Sequence, residues 1–138
     1  MREIKYRAWD RKTKTMFAVH EIHLHRISGE IDWIRGYGYS DKDGVDVYGG
    51  GMSRYVNEPR YELIQYTGLN DKRGVEIYDG DIFKDSLGTV AVVEWDEENA
   101  RFLGFTAERK IVYVGREPAV EVIGNIYETP ELLQGVTK

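Results

Sequence analysis

Three histidines stand close together in this chain, His20, His23 and His25. On an extended strand alternate residues share a face, so His23 and His25 point the same way. With Glu21 or Glu30 they supply imidazole and carboxylate donors of the kind that hold zinc. Parity works against a three-histidine set: His20 falls on the opposite face, while Glu21 shares the face of His23. The same residues also read as three solvent-facing histidines on a hairpin. A second acidic set, Asp41, Asp43, Gly44 and Asp46, approaches a calcium loop. That loop needs a ligand where Val45 stands and a glutamate where Met52 stands. A third set is Asp79 and Asp81 on either side of Gly80, with Asp71 upstream. Paired carboxylates can exchange protons or bind a metal. Around a glycine they serve equally well as turn caps.

Nucleophilic chemistry has less to draw on. There is no cysteine, and none of Ser28, Ser40, Ser53 or Ser86 sits in a nucleophile-elbow pattern. The glycines at 36, 38 and 49–51 lack the lysine and the strand-to-helix setting of a phosphate loop. The expectation is therefore a protein that is not an enzyme, with no catalytic residue, no cofactor and no metal site.

The glycine-rich stretch 36–59 carries a different chemistry. Tyrosines punctuate it, and Tyr37, Tyr39 and Tyr48 are the candidate protein-contact residues. Tyrosine offers a large contact area at low entropic cost, and glycine lets a loop adapt to a partner. A short strand is expected inside this stretch at 45–48. A basic N-terminal run, Lys5, Arg7, Arg11, Lys12 and Lys14, is interleaved with Tyr6 and Trp9. Such a run can meet phosphates. The net charge of -5 opposes general binding to a nucleic-acid backbone, so nucleic acid is the weaker expectation for a partner.

These residues need a scaffold, and 138 residues are enough to bury a core without disulfides. The absence of cysteine fits a reducing compartment, and no apolar run approaches the ~20 residues of a membrane-spanning helix. The N-terminal residues lack the apolar core of a secretion signal. A cytoplasmic protein, not one of the membrane, is expected.

The apolar pattern is mostly that of strands. Alternation predicts strands at 4–8, 15–19, 21–27 and 30–35, with turns at 10–14 and 28–29. The 36–59 stretch then separates an N-terminal hairpin region, 1–60, from a second region, 61–138. In the latter, short strands at 81–84, 89–95, 100–106, 111–114 and 120–123 follow at near-regular spacing. Five such strands predict an SH3-like small β-barrel with Ile82, Val92, Trp95, Phe102, Phe105 and Ile123 in its core. Thr129 followed by Pro130 predicts a short C-terminal helical turn with Thr129 as its N-cap.

One segment carries more specific information. Residues 63–84 read LIQYTGLNDKRGVEIYDGDIFK, two apolar runs broken by the turn Asn70-Asp71-Lys72-Arg73-Gly74 and by Asp79-Gly80. This stretch resembles the signature of the YopX-like family of phage and prophage proteins. The likeness extends to Ile4-Lys5-Tyr6-Arg7-Ala8-Trp9-Asp10 with Lys14-Thr15-Met16, and to the segment from Val122-Ile123-Gly124-Asn125-Ile126-Tyr127-Glu128 through Thr129-Pro130-Glu131-Leu132-Leu133. It is weakest over residues 19–60. Arg73 and Asp79 stand where the family more often has Asn and Glu. The resemblance implies one YopX-like domain over 1–138 and brings no catalytic residues with it.

The reading that follows is a phage- or prophage-encoded protein of uncharacterised molecular role. It acts as a non-enzymatic interaction module, a homo-oligomer that also binds a host or phage protein. The alternative is a nucleic-acid-binding accessory protein built on the SH3-like barrel.

Overall fold

The computed structural model describes residues 3–37, 46–50, 60–115 and 119–134, with 37, 46–50 and 134 described in backbone only. The fold is mostly β, and the chain divides into two compact units, one of residues 5–64 and one of residues 1–4 and 65–138.

The N-terminal unit is an antiparallel meander. It contains β1 (Tyr6–Asp10), β2 (Thr15–Leu24), β3 (Ile31–Tyr37), β4 (Asp46–Gly50) and the start of β5 (Tyr61–Asn70), in the order β4-β3-β2-β1-β5. β1 pairs with β2 from Tyr6↔Val19 to Asp10↔Thr15. Residues 15–19 and 21–27, expected as separate strands, are instead joined in β2, which ends at Leu24. The reason lies in the ladder with β3, where Val19 pairs with Gly36 and Glu21 with Arg35. His20 is the extra residue of a β-bulge, which shifts the phase of the alternation without breaking the strand.

Ala8, Phe17, Ile34 and Tyr61 form the core of this unit, with Val19, Ile22, Ile31 and Leu63 packed against it. Phe17 meets Tyr61 edge-on at 5.7 Å. Gly36, expected to open the long loop, lies inside β3 and is buried. A Cβ there would strike the backbone carbonyl of Ala18 and would also approach the Phe17 ring to 2.8 Å, so glycine lets both lie close. β4 covers the strand expected near 45–48 and pairs with β3 from Trp33↔Gly50 to Tyr37↔Asp46.

The second unit starts with the end of β5, which pairs with β6 (Glu76–Tyr78) through Tyr66↔Tyr78 and Asn70↔Glu76. There follow β7 (Asp81–Lys84), β8 (Val90–Asp96), β9 (Arg101–Phe105), β10 (Ile111–Val112), β11 (Glu121–Asn125) and a single turn of helix, α1 (Glu131–Gln134). The five strands make an antiparallel sheet in the order β10-β9-β8-β7-β11. Among the described residues this sheet is open, with β10 and β11 at its edges.

Its core is Ile77, Phe83, Ala91, Val93, Val114 and Val120, backed by Phe102, Val112 and Val122. Of the core residues expected from sequence, Ile82 and Val92 are buried, whereas Phe102, Phe105 and Ile123 are half-buried. Ile123 is the extra residue between the pairs Val122↔Phe83 and Gly124↔Ile82, which takes it out of the regular pleat. Trp95 is 44% exposed and does not belong to the core. It shares the face of Ala91 and Val93 but stands near the end of the strand, where Phe102 meets it edge-on at 4.9 Å.

Candidate functional site

The polar residues of the sequence signatures are occupied by backbone. Asp71 is buried, and its Oδ1 accepts the N–H groups of Arg73 and Val75 at 2.8 and 2.9 Å. Its Oδ2 accepts the N–H of Val122 at 3.0 Å. Burial pushes this carboxyl up; the three N–H donors and the Arg73 charge outweigh it and hold the group below its usual range. Asp10 repeats the device in the other unit. It accepts the N–H groups of Lys12 and Thr13, and Arg60 grips it with Nε at 2.9 Å and Nη2 at 2.8 Å. Arg60 is the main reason its pKa falls to about 2, against the opposing effect of burial.

Asp85 caps its turn by accepting from Leu87 and Thr89. Asn125 accepts from Tyr127 and Glu128 and donates to the Glu128 carboxylate at 2.9 Å. Thr129, expected as a helix N-cap, turns its hydroxyl back to Asn125 instead, accepting from the Asn125 N–H and donating to its C=O. A short polar side chain that satisfies nearby N–H groups competes well for this role because it closes a turn without any long-range partner.

Asp81 is buried and its Oδ2 accepts the Tyr78 N–H at 2.8 Å, so it fastens the turn around Gly80. Gly80 holds a φ of +84°, and a Cβ there would meet the Tyr127 ring at 2.9 Å. The histidines act separately. His23 stacks flat on Trp33 at 4.9 Å, across the β2–β3 ladder, with Asp32 3.6 Å from its Nδ1. His25 lies past the strand, where its Nδ1 accepts the N–H groups of Ile27 and Ser28. Among the described residues no group of three or more His, Asp or Glu side chains is arranged to hold a metal ion. Asp41, Asp43 and Gly44 lie outside the described residues, and Asp46 begins β4.

The basic N-terminal run is drawn partly into the fold. Trp9 is buried, and Arg11 is paired with Glu62 at 2.6 Å. A second basic cluster has no counterpart in the sequence reading. Lys72, Arg73 and Lys84 converge on the single carboxylate of Glu121, at 3.7, 3.6 and 3.8 Å. Pairing of β7 with β11 places Lys84 opposite Glu121, a proximity that spacing along the chain does not reveal.

Of the candidate contact tyrosines, Tyr37 ends β3 and Tyr48 is in the middle of β4, while Tyr39 lies outside the described residues. Register puts Tyr48 opposite Arg35 and Tyr37 opposite Asp46, so the two backbones occupy neighbouring positions of the hairpin that ends this sheet. The edge of β11 is different. The Lys72 N–H donates to the Val120 C=O at 3.0 Å, Asp71 accepts from the Val122 N–H, and the Arg73 guanidinium donates to the Val122 C=O at 3.3 Å. The signature turn therefore covers that edge, a standard protection against further strand pairing.

Two antiparallel sheets whose turns are fastened by aspartate and asparagine side chains define a mostly β protein with a characteristic set of clasps. The chain belongs to the YopX protein family, whose model matches residues 5–134. It is similar in structure to protein EF1440 from Enterococcus faecalis, with 28% identity, a TM-score of 0.62, and coverage of 96% of this chain and 99% of that one. It is also similar in fold to protein yopX from Bacillus subtilis, with 21% identity, a TM-score of 0.54, and coverage of 94% and 95%. No curated protein matches the sequence. No helix among the described residues is long and apolar enough to cross a membrane.

Proposed function

We propose that this protein is a non-enzymatic interaction module of phage or prophage origin, working in the bacterial cytoplasm as a homo-oligomer that also engages a host or phage protein. The observation that carries the reading is the contrast between two of the sheet edges, those of β11 and β4. The β11 edge is covered by the signature turn, whereas β4, with Tyr48 at its centre, ends the other sheet. An edge strand offers a row of backbone donors and acceptors to an added strand. Tyr37, Tyr39 and Tyr48 are the proposed contact residues. The polar signature residues, by contrast, spend their hydrogen-bonding capacity on turns, in keeping with a structural task.

The test is the solution mass of the purified chain by light scattering, for the wild type and for Tyr37→Ser with Tyr48→Ser. An assembly that weakens while the melting temperature holds supports the reading. A wild type that stays monomeric at every accessible concentration removes the oligomer.

A second reading has its own support. The order β10-β9-β8-β7-β11 is a four-strand meander with the last strand returned beside the first, which supports the proposal of a small SH3-like barrel in this unit. With Lys72, Arg73 and Lys84 gathered at Glu121, that unit suits a nucleic-acid-binding accessory protein. Binding to DNA or RNA that falls steeply with salt would favour it.

A further inference from the structure

The cluster at Glu121 carries more positive charge than its carboxylate balances. Pairing of β7 with β11 sets Lys84 opposite Glu121. The signature turn brings Lys72 and Arg73 to the same place. That turn is tied down on both sides of Glu121, by the Lys72 N–H on the Val120 C=O and by Asp71 on the Val122 N–H. The backbone therefore sets the spacing of the three cations, all within one unit of the chain. Each cationic side chain is about half exposed. Their charged heads stand 3.7, 3.6 and 3.8 Å from the carboxylate, drawn by its charge but beyond hydrogen-bond range. Arg73 gives one donor to the Val122 C=O at 3.3 Å. An ammonium carries three N–H donors and a guanidinium five, so the cluster holds far more donors than these two acceptors engage. Asp71, the other carboxylate of the turn, is buried with its oxygens taken by backbone N–H groups. Cations outnumber carboxylates even when it is counted.

We propose that Lys72, Arg73 and Lys84 form a phosphate-binding site for the backbone of a nucleic acid, with Glu121 as its built-in competitor. This rests on the nucleic-acid reading and names the residues and the ligand group that it needs. A phosphate offers several charged oxygens, which suits lysine and arginine heads converging on one point. Glu121 gathers these heads, because like charges would otherwise spread apart. The same carboxylate opposes an arriving anion and so lowers the affinity of the site it assembles. The net charge of -5 repels anions in general, and a local surplus of cations is what a phosphate contact on such a protein requires.

The test is fluorescence anisotropy of a labelled oligothymidylate and a labelled DNA duplex, titrated with the whole chain at low salt. Lys72→Gln with Lys84→Gln should weaken binding about tenfold or more. It should also lower the slope of log affinity against log salt by about two, one for each lysine contact. Glu121→Gln should act in the opposite direction and tighten binding about threefold or more, because it removes an opposing charge. Lys110→Gln, exposed in the turn before β10, should change little. A merely structural cluster would not divide this way, since breaking it from either side would move binding in the same direction. A wild type that binds neither DNA at low salt overturns both this site and the nucleic-acid reading. Binding that ignores the lysine pair overturns the site alone, and binding that Glu121→Gln fails to strengthen overturns the competitor. Displacement of the DNA by inorganic phosphate at equal phosphate concentration would assign the cluster to a free ion. Poly-glutamate bound as tightly, through the same lysines, would assign it to acidic protein segments. Either result overturns the nucleic-acid ligand. Should Glu121→Gln fail to fold, the lysine pair and its salt slope decide.

Discussion

The Asp71 carboxylate accepts the backbone N–H of Val122 at 3.0 Å, joining residues 51 apart in the chain. The same carboxylate closes its own turn through Arg73 and Val75, so a single side chain fixes a local bend and a strand edge together. Removing it leaves three N–H groups without their acceptor.

Asp71→Ala is accordingly expected to cost about 2–4 kcal/mol, since each buried donor left unpaired costs about 1–3 kcal/mol and part of the loss is recovered from water. At about 2–4 °C per kcal/mol for a chain of this size, the melting temperature should fall by roughly 5–15 °C in thermal unfolding. A fall of no more than a degree or two would show that the clasp is dispensable.

Acid should expose the matching device at Asp10. Its folded pKa is lowered to about 2, chiefly by Arg60. A depressed carboxylate pKa contributes stability that is complete above the unfolded value near 3.8 and lost as the pH falls towards 2. The contribution at neutral pH is roughly 2 kcal/mol, because each tenfold weakening of proton affinity on folding is worth about 1.4 kcal/mol. Denaturant titrations at pH 6 and pH 2.5 should show Asp10→Asn narrowing the difference between the two conditions. An unchanged difference would assign the acid loss to other carboxylates.

Gly80 and Gly74 make a controlled pair. Both hold a left-handed φ, +84° and +83°. A side chain there costs about 1–2 kcal/mol in backbone strain alone. Around Gly74 a Cβ meets nothing within 4 Å, whereas at Gly80 it strikes the Tyr127 ring. Gly80→Ala should therefore destabilise clearly more than Gly74→Ala by chemical denaturation. Equal losses would mean that the Tyr127 ring moves aside freely.

In the five-stranded sheet, Phe83 is fully buried and lies where a Cβ on Gly104 would come within 2.5 Å of its ring. Phe83→Ala should cost about 3–5 kcal/mol through the cavity it leaves. Trp95→Ala, although a larger truncation, should cost clearly less, because Trp95 keeps 44% of its surface in solvent and leaves no closed cavity. Reversal of that order in denaturant midpoints would put the core on the wrong end of β8.

Much of the fold is legible in the sequence because alternation and turn chemistry are local. The strand predicted at 81–84 coincides with β7, and those near 89–95 and 100–106 differ from β8 and β9 by a residue at each end. Bulges are not legible. His20 and Ile123 each add one residue to a strand, and nothing in their side chains announces it. Hydrophobicity alone assigns Trp95 to the core, but its burial depends on how far the facing layer extends, which is a tertiary fact. The cation cluster on Glu121 is hidden for the same reason, since it is assembled by the pairing of β7 with β11 and by the cap of the signature turn. Among the candidate contact residues, sequence places Tyr48 in a short strand, but only the sheet order shows that this strand is terminal among the described residues.

The edge cap at β11 has a consequence for inheritance. The amino acids that make this family recognisable, Asp71 and Gly74 with the Gly124-Asn125 pair, answer to backbone geometry, which tolerates few alternatives. A substitution at Asp71 therefore registers as a change of shape before any change of surface, because its oxygens are already committed to backbone N–H groups. The signature turn is in this sense a record of how the chain folds.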